Sequence, residues 1–165
     1  MEKRQLMLET ESVAQTQALG LRFASWLRSG DVLALAGELG AGKTAFAQGL
    51  ARGMGITAAV TSPTFVLINR YVAPDGRVLQ HADCYRLADA PAEMWDIGLA
   101  DLFAGDDVVV IEWADRIARL LPDEHLQVDF TYLSEARRRL CFAAHGARYV
   151  ELLTACYSDL IPAPS

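Results

Sequence analysis

Residues Gly37 to Thr44 read Gly-Glu-Leu-Gly-Ala-Gly-Lys-Thr and match the phosphate-loop pattern G-x-x-x-x-G-K-[ST] at every fixed position. The residues before them, Asp31 to Ala36, form a short apolar run of the kind found in buried parallel strands. After the loop, apolar residues recur at helical spacing, and Gly53 can end that helix. A strand, a glycine-rich loop and a helix in this order are the context that a phosphate-binding loop requires.

Each residue type in this loop has a physical role in holding phosphate. Glycines permit backbone conformations that bring main-chain N–H groups close to an anion, and the helix N-terminus adds a partial positive charge. Lys43 supplies a charge for the outer phosphates, and the hydroxyl group of Thr44 can ligate Mg²⁺. We therefore expect the loop to bind a nucleotide through Gly37, Glu38, Leu39, Gly40, Ala41, Gly42, Lys43 and Thr44.

Length and charge restrict the class of protein. A chain of 165 residues fits one domain, whose tail we expect to fray from about residue 158. The net charge of −6 argues against a broad basic surface for nucleic acid. The three cysteines are too few and too scattered for a zinc site or a disulfide framework. Since the N-terminus does not resemble a signal peptide and no apolar run reaches spanning length, we expect a cytoplasmic protein without membrane contact.

Strand and helix patterns alternate along the chain, with turn signals where hairpins are expected. The patterns predict, in order, an edge strand over 4–10, a helix from Ser12 to about Leu27, a hairpin of Phe65–Val72 with Arg77–Asp83, a helix over 91–104 interrupted near Gly98, a buried strand over Asp107–Glu112, a helix over Trp113–Leu121, an antiparallel pair of Leu126–Tyr132 with Arg139–Ala144, and a short helix from about Tyr149. This combination predicts a three-layer α/β domain of the phosphate-loop NTPase type with a mixed parallel and antiparallel sheet. The nucleotide should lie at the carboxyl ends of its central strands.

Two acidic residues near strand ends are candidates for magnesium binding and catalysis. Glu112 follows the apolar run Val108 to Ile111, where a phosphate-loop protein places the acid that holds Mg²⁺ directly or through water. The alternative is a surface glutamate that caps the next helix. Asp83 could orient the attacking water, hold Mg²⁺ through a water or serve as a structural aspartate. For its neighbour His81, packing or hydrogen bonding is the favoured interpretation.

The segment Ser62 to Phe65 lies where a switch segment could place a hydroxyl group near the γ-phosphate. Ser62 and Thr64 are the candidates, although Ser-Pro-Thr is also ordinary turn chemistry. Guanine-specific GTPases use an Asn-Lys-x-Asp element, and the only asparagine here, Asn69, precedes an arginine. We therefore expect the cofactors to be ATP, in preference to GTP, and Mg²⁺.

Four motifs in one order give the chain a resemblance to a known family. They are Gly-Glu-Leu-Gly-Ala-Gly-Lys-Thr, Thr-Ser-Pro-Thr-Phe, His-Ala-Asp-Cys-Tyr-Arg and Ile-Glu-Trp, and over roughly residues 12 to 145 they resemble the TsaE family. TsaE proteins are bacterial ATPases of tRNA threonylcarbamoyladenosine biosynthesis. The resemblance implies partnership with a TsaB–TsaD heterodimer, whose TsaD subunit transfers threonylcarbamoyl to an adenosine beside the anticodon. It also implies that ATP hydrolysis resets this complex between cycles.

The resemblance implies a role for each matching residue. Gly37 to Thr44 become the phosphate site, Ser62 to Phe65 the switch, and Thr44 with Glu112 the Mg²⁺ ligands. Asp83 becomes a catalytic or water-bridged metal residue, so that the catalytic set is Lys43, Asp83 and Glu112.

The chain departs from the family pattern at two positions of the loop region. Ala45 stands where a second threonine is common, and Glu38 replaces the usual aspartate, but neither change removes a phosphate or metal contact. The run Arg137 to Arg139 falls where the pattern is loose; it is predicted to be a solvated loop, and contact with nucleotide or partner is left open. Because acidic side chains outnumber basic ones by 21 to 15, we expect tRNA to be reached only through TsaB–TsaD.

Two other functions remain open on the sequence. A small-molecule kinase also uses a phosphate loop in a chain of this size, and would need an arginine-bearing lid and an acceptor pocket. Spacings such as Asp83 to Arg86 are too permissive to establish either. A nucleotide-responsive interaction module with negligible turnover is the second alternative.

Overall fold

The computed structural model describes residues 2–38, 40–61, 68–85 and 92–161, without the side chains of 92–97. The predictions at Leu39, Ser62 and Thr64 lie outside these residues.

The strands of the described chain are β1 (Gln5–Thr10), β2 (Val32–Gly37), β3 (Ile68–Val72), β4 (Val78–Asp83), β5 (Val108–Glu112), β6 (His125–Tyr132) and β7 (Arg138–His145). Its α-helices are α1 (Val13–Phe23), α2 (Lys43–Gly53), α3 (Ala92–Ala104) and α4 (Ala147–Leu160), and 3₁₀ turns occur at Ala24–Trp26 and Ala114–Ile117.

The strands form one sheet in the order β1-β7-β6-β2-β5-β4-β3. The strand that leads into the phosphate loop, β2, is parallel to β5 on one side and to β6 on the other. β4 is parallel to β5, whereas β3–β4, β6–β7 and β1–β7 are antiparallel pairs. The mixed sheet is therefore confirmed, and its topology brings the carboxyl ends of β2, β4 and β5 to one edge.

Helices cover both faces of the sheet and give the predicted three layers. On one face, α1, α2 and α4 pack over a core that includes Phe23, Phe46 and Phe142, with the rings of Phe23 and Phe142 stacked 4.8 Å apart. On the other face, α3 and the 3₁₀ turn after β5 cover β2, β4 and β5. Burial from both sides explains why β2 and β5 have continuous apolar sequences instead of alternating ones.

Close packing of α1 against α2 fixes the helix that follows the phosphate loop. Ser12 caps α1 as predicted, because its hydroxyl oxygen accepts a hydrogen bond of 3.0 Å from the backbone N–H of Gln15. A Cβ atom on Gly49 would lie 2.0 Å from the carbonyl oxygen of Gln17, so the two helix backbones meet with no room for a side chain. This contact accounts for a glycine in the interior of α2, a position where glycine is otherwise unfavourable.

Four predicted helices differ in detail from the structure. α1 ends at Phe23 and continues only as a 3₁₀ turn, and α3 runs unbroken through Gly98. The helix predicted over 113–121 is reduced to the 3₁₀ turn Ala114–Ile117, and Trp113 lies outside that turn because its left-handed conformation does not fit a right-handed helix. α4 runs from Ala147, close to the predicted start near Tyr149, to Leu160, and is longer than the short helix expected; the fraying expected from about residue 158 stays a prediction. Among the described residues, no helix is both long and apolar enough to cross a bilayer.

Candidate nucleotide-binding site

The phosphate loop joins the carboxyl end of β2 to the N-terminus of α2, as the sequence predicted. Gly37 has φ of 145°, and Gly42, which caps α2, has φ of 103°. Residues that carry a side chain rarely adopt such values of φ. A Cβ atom on Gly37 would also lie 2.6 Å from the carbonyl oxygen of Phe130 in β6. The glycines are therefore required by the path of the loop, which places the unpaired N–H groups of the α2 N-terminus at the sheet edge.

Lys43 is held at the centre of the site although its side chain is charged. Its Nζ atom donates to the carbonyl oxygens of Gly37 at 2.6 Å and Glu38 at 3.0 Å, and lies 4.0 Å from the ring centroid of Trp113. The residue is only 4% exposed, and burial lowers the pKa of its ammonium group, an effect that nearby carboxylates oppose. Within the described residues its hydrogen-bond partners are neutral carbonyl groups, so the ammonium charge remains able to pair with an anion such as phosphate.

Glu112 links the phosphate loop to β4 through a chain of side-chain contacts. The hydroxyl group of Thr44 donates to Glu112 Oε1 at 2.8 Å, and His81 Nε2 lies 2.5 Å from Glu112 Oε2. Glu112 is 2% exposed and His81 is fully buried. Glu112 is therefore a buried acid aimed at the loop, and the alternative of a surface glutamate capping a helix was wrong.

Asp83 lies beside Glu112 because β4 and β5 are parallel and these residues are register partners at the strand ends. Its Oδ1 atom accepts a hydrogen bond of 2.9 Å from the backbone N–H of Tyr85. Its negative charge, like those of Glu112 and Asp115, raises the pKa of Lys43 against the effect of burial. The structure thus brings Lys43, Thr44, Asp83 and Glu112 together at one edge of the sheet.

Trp113 has a strained backbone directly after Glu112. Its φ of 59° and ψ of 38° make it the one described residue other than glycine with positive φ. Its ring contacts that of Tyr85 at 4.8 Å between centroids, and the guanidinium group of Arg116 lies near both rings. Such backbone strain persists only where surrounding contacts hold it, and here it turns the indole over Lys43.

The donor set fits a magnesium ion that is shared with a nucleotide. No group of three or more His, Cys, Asp or Glu side chains within the described ranges could hold a metal ion without other ligands. Thr44 and Glu112 instead offer one hydroxyl and one carboxylate oxygen, 2.8 Å apart and close to the lysine of the phosphate loop. Mg²⁺ characteristically combines one or two such protein oxygens with phosphate oxygens and water.

Sequence reasoning did not identify the contacts of several residues at this edge. His81 was assigned a packing or hydrogen-bonding role, and its hydrogen bond proves to be with Glu112. Asp115 and Arg116 carried no signal, because the segment after Glu112 was interpreted as an ordinary helix. Arg138, which was left without a role, donates from Nε to the carbonyl oxygen of Gly40 in the loop at 3.2 Å.

The fold and this loop define a P-loop protein of the α/β class. The sequence profile described as "Threonylcarbamoyl adenosine biosynthesis protein TsaE" matches residues 10–140. The chain therefore belongs to the TsaE family, which acts in tRNA threonylcarbamoyladenosine biosynthesis.

Individual relatives agree with the profile over most of the chain. The tRNA threonylcarbamoyladenosine biosynthesis protein TsaE of Bacillus subtilis is 42% identical over 147 residues, covering 88% of this chain and 90% of that protein. The protein of the same name from Streptomyces coelicolor is 44% identical over 111 residues, covering 67% and 74%. The crystal structure of Bacillus subtilis YdiB superposes with a TM-score of 0.78 at 38% identity, covering 94% of this chain and 95% of that one.

Proposed function

We propose that this chain binds and hydrolyses ATP with Mg²⁺, and that it thereby supports tRNA threonylcarbamoyladenosine modification by a TsaB–TsaD complex. The observation that carries the proposal is the contact of 2.8 Å between the Thr44 hydroxyl group and Glu112 Oε1, beside the buried Lys43. A hydroxyl group, a carboxylate and a lysine in this arrangement serve phosphoryl transfer in other P-loop proteins. Membership of the TsaE family supports the biological process.

The residues of the site divide the chemistry between them. Lys43 and the N-terminus of α2 bind the phosphates and neutralise charge on the oxygens of the transferred group. Thr44 and Glu112 would hold Mg²⁺, which when bound supplies further charge neutralisation. Asp83 orients the attacking water, since its carboxylate lies at the end of β4 next to Glu112. Hydrolysis then yields ADP and phosphate.

Composition supports a division of labour between this chain and its partners. The net charge of −6 repels a polyanion at long range, and Lys3 is the only lysine outside the phosphate loop. We infer that tRNA binds to the TsaB–TsaD complex and that this chain acts on that complex through its nucleotide state. The chain works in the cytoplasm, where tRNA is modified.

Phosphate release from ATP tests the activity and its dependence on partners. Purified protein is measured with Mg²⁺ alone and with a TsaB–TsaD pair, and Lys43→Met serves as the inactive control. Release that needs the pair and is lost in Lys43→Met supports the proposal. Release that instead requires a small hydroxylated acceptor would identify a small-molecule kinase. Nucleotide binding with no release under any condition would identify an interaction module.

A further inference from the structure

Arg116 lies at the candidate site, although the proposed function gives it no role. It belongs to the 3₁₀ turn that follows Glu112 and Trp113, and its side chain is exposed. Its guanidinium carbon lies 5.5 Å from the ring centroid of Trp113 and 4.9 Å from that of Tyr85. Because the two rings contact each other, the guanidinium group rests on a pair of aromatic side chains at this edge of the sheet.

The indole ring of Trp113 brings Arg116 close to the lysine of the phosphate loop. Lys43 Nζ lies 4.0 Å from the same ring centroid, so the two cationic groups are within about 10 Å of each other. A phosphoryl group that accepts hydrogen bonds of ordinary length from a lysine and an arginine separates their charges by about 7–9 Å. Lys43 and Arg116 are therefore close enough to contact one phosphoryl group together.

The hydrogen-bond donors of the Arg116 side chain are not in use. In the part of the chain that the structure describes, its guanidinium group has contacts with the two aromatic rings and no hydrogen bond or ion pair. Arg77 and Arg148, in contrast, both pair with carboxylates. Aromatic rings fix a guanidinium group through its flat face, which leaves the in-plane N–H groups able to bind a phosphate.

The charges at the site favour a second cation. Asp83, Glu112 and Asp115 all raise the pKa of Lys43, so three carboxylates lie near one ammonium group. A terminal phosphate adds negative charge to an edge where the carboxylates already outnumber the lysine. A second cation within reach of that phosphate lowers the electrostatic cost of binding it, and Arg116 is in a position to supply this charge.

We propose that Arg116 is a catalytic residue whose in-plane N–H groups donate to the terminal phosphoryl group of ATP. The inference rests on the proposed function, since it needs ATP in the phosphate loop. In hydrolysis the γ-phosphorus gains a bond to the water oxygen and loses its bond to the bridging oxygen, which leaves on ADP with the electron pair. One proton of the water stays on the released phosphate and the other passes to solvent. Arg116 neutralises charge on the oxygens of the transferred group during this step.

Two nucleotides that differ in the terminal phosphate test this role. Isothermal titration calorimetry with Mg²⁺ measures ADP and the non-hydrolysable ATP analogue AMP-PNP on wild type and on Arg116→Met, which keeps an unbranched side chain against the rings and loses the charge. We expect AMP-PNP to bind the variant on the order of tenfold more weakly, as for loss of a charged hydrogen bond. ADP affinity should stay within about twofold of wild type, and this also reports intact folding.

Two further variants and a rate measurement sharpen the test. Arg116→Lys keeps the charge and should recover part of the AMP-PNP affinity. Arg119→Met removes an equal charge from an exposed position three residues further along, and should change neither affinity. Phosphate release from saturating ATP should fall about 100-fold in Arg116→Met, under the conditions in which wild type releases phosphate.

Four results would overturn the role of Arg116. Unchanged AMP-PNP affinity or unchanged phosphate release in Arg116→Met would each show that the charge does not act on the terminal phosphoryl group. An equal loss for AMP-PNP and ADP would mean that Arg116 acts through Trp113 or the loop. A loss in Arg119→Met as large as in Arg116→Met would mean that only bulk charge matters. These results leave the proposed function intact, whereas wild-type protein that binds neither nucleotide would contradict the proposed function itself.

Discussion

His81 Nε2 lies 2.5 Å from Glu112 Oε2, so the two fully enclosed side chains join β4 to β5 next to the phosphate loop. A carboxylate can only accept, and Nε2 therefore carries the proton and donates it. The other ring nitrogen, Nδ1, is buried without a hydrogen-bond partner among the described residues. This contact occupies one oxygen of Glu112 and leaves Oε1 directed at Thr44. His81 is thus a positioning residue for the acid that we assign to Mg²⁺.

The first prediction concerns the donor that holds Glu112. His81→Leu leaves Glu112 Oε2 buried without its partner, so the free energy of unfolding should fall by about 1–3 kcal/mol. Without this hydrogen bond the carboxylate of Glu112 is free to rotate away from Thr44. The gain in ATP affinity that Mg²⁺ provides should therefore be smaller in the variant. Fluorescence titration of a labelled nucleotide, with Mg²⁺ and with EDTA, measures that gain.

Two further variants separate positioning from general damage to β4. Gln80 lies next to His81 in β4, and Gln80→Leu removes its hydrogen bond of 3.0 Å to Asp107. This variant should lower stability without changing the gain in ATP affinity that Mg²⁺ provides. His81→Gln keeps an N–H donor and should recover part of the Mg²⁺ effect. If Gln80→Leu and His81→Leu changed the Mg²⁺ effect equally, the positioning role would be refuted.

The second prediction concerns Lys43. Lys43→Met keeps the buried aliphatic stem and removes the ammonium group, which is the cation nearest to the expected outer phosphates. ATP affinity should fall on the order of 10–100-fold, as for loss of a charged hydrogen bond. Thermal unfolding without nucleotide should change little, since the variant loses two hydrogen bonds and also a desolvated charge. ATP binding close to wild type would mean that the loop is not the site.

The third prediction separates the two acids at the sheet edge. Glu112→Gln removes a hard charged ligand and should chiefly weaken the Mg²⁺ dependence of nucleotide binding. Asp83→Asn should reduce hydrolysis far more than binding, because Asp83 is assigned to the attacking water. Nucleotide titrations with and without Mg²⁺, together with phosphate release, test both variants. Equal loss of binding in the two would show that the division of roles is wrong.

The fourth prediction contrasts two helical glycines. Gly49→Ala places a Cβ atom 2.0 Å from the Gln17 carbonyl oxygen, so α1 and α2 must separate, and the cost should be about 2 kcal/mol or more. Gly98→Ala in α3 meets no atom of the described residues within 4 Å, and should stabilise by about 0.5–1 kcal/mol. Chemical denaturation measures the free energy of unfolding of both variants. A stable Gly49→Ala protein would contradict the close helix packing, and a destabilised Gly98→Ala protein would contradict the unbroken helix.

Local sequence predicted the parts of the site that depend on short-range pattern. The strand before the loop, the loop glycines and the acid after Val108 to Ile111 each follow from a contiguous run of residues. Residues joined only by strand register could not be found this way. His81 and Glu112 are 31 positions apart, and their contact exists because β4 and β5 are parallel neighbours. Arg138 and Gly40 are separated by 98 positions.

The segment after β5 shows why a correct periodicity can still mislead. Residues 113–121 have helix-forming composition, and nothing local indicates that Trp113 adopts φ of 59°. In this conformation its ring contacts Lys43 and Tyr85, which lie far away in sequence. Tertiary contacts here outweigh a weak helical preference.

The central claim is that ATP hydrolysis by this chain supports repeated modification by TsaB–TsaD, and the yield of threonylcarbamoyladenosine per complex tests it most directly. Mass spectrometry of digested tRNA counts the product formed with wild-type protein and with Asp83→Asn, after ATP binding by the variant has been verified. We expect many products per complex with the wild-type protein and no more than a single round with Asp83→Asn. Equal yields with the two proteins would contradict the central claim.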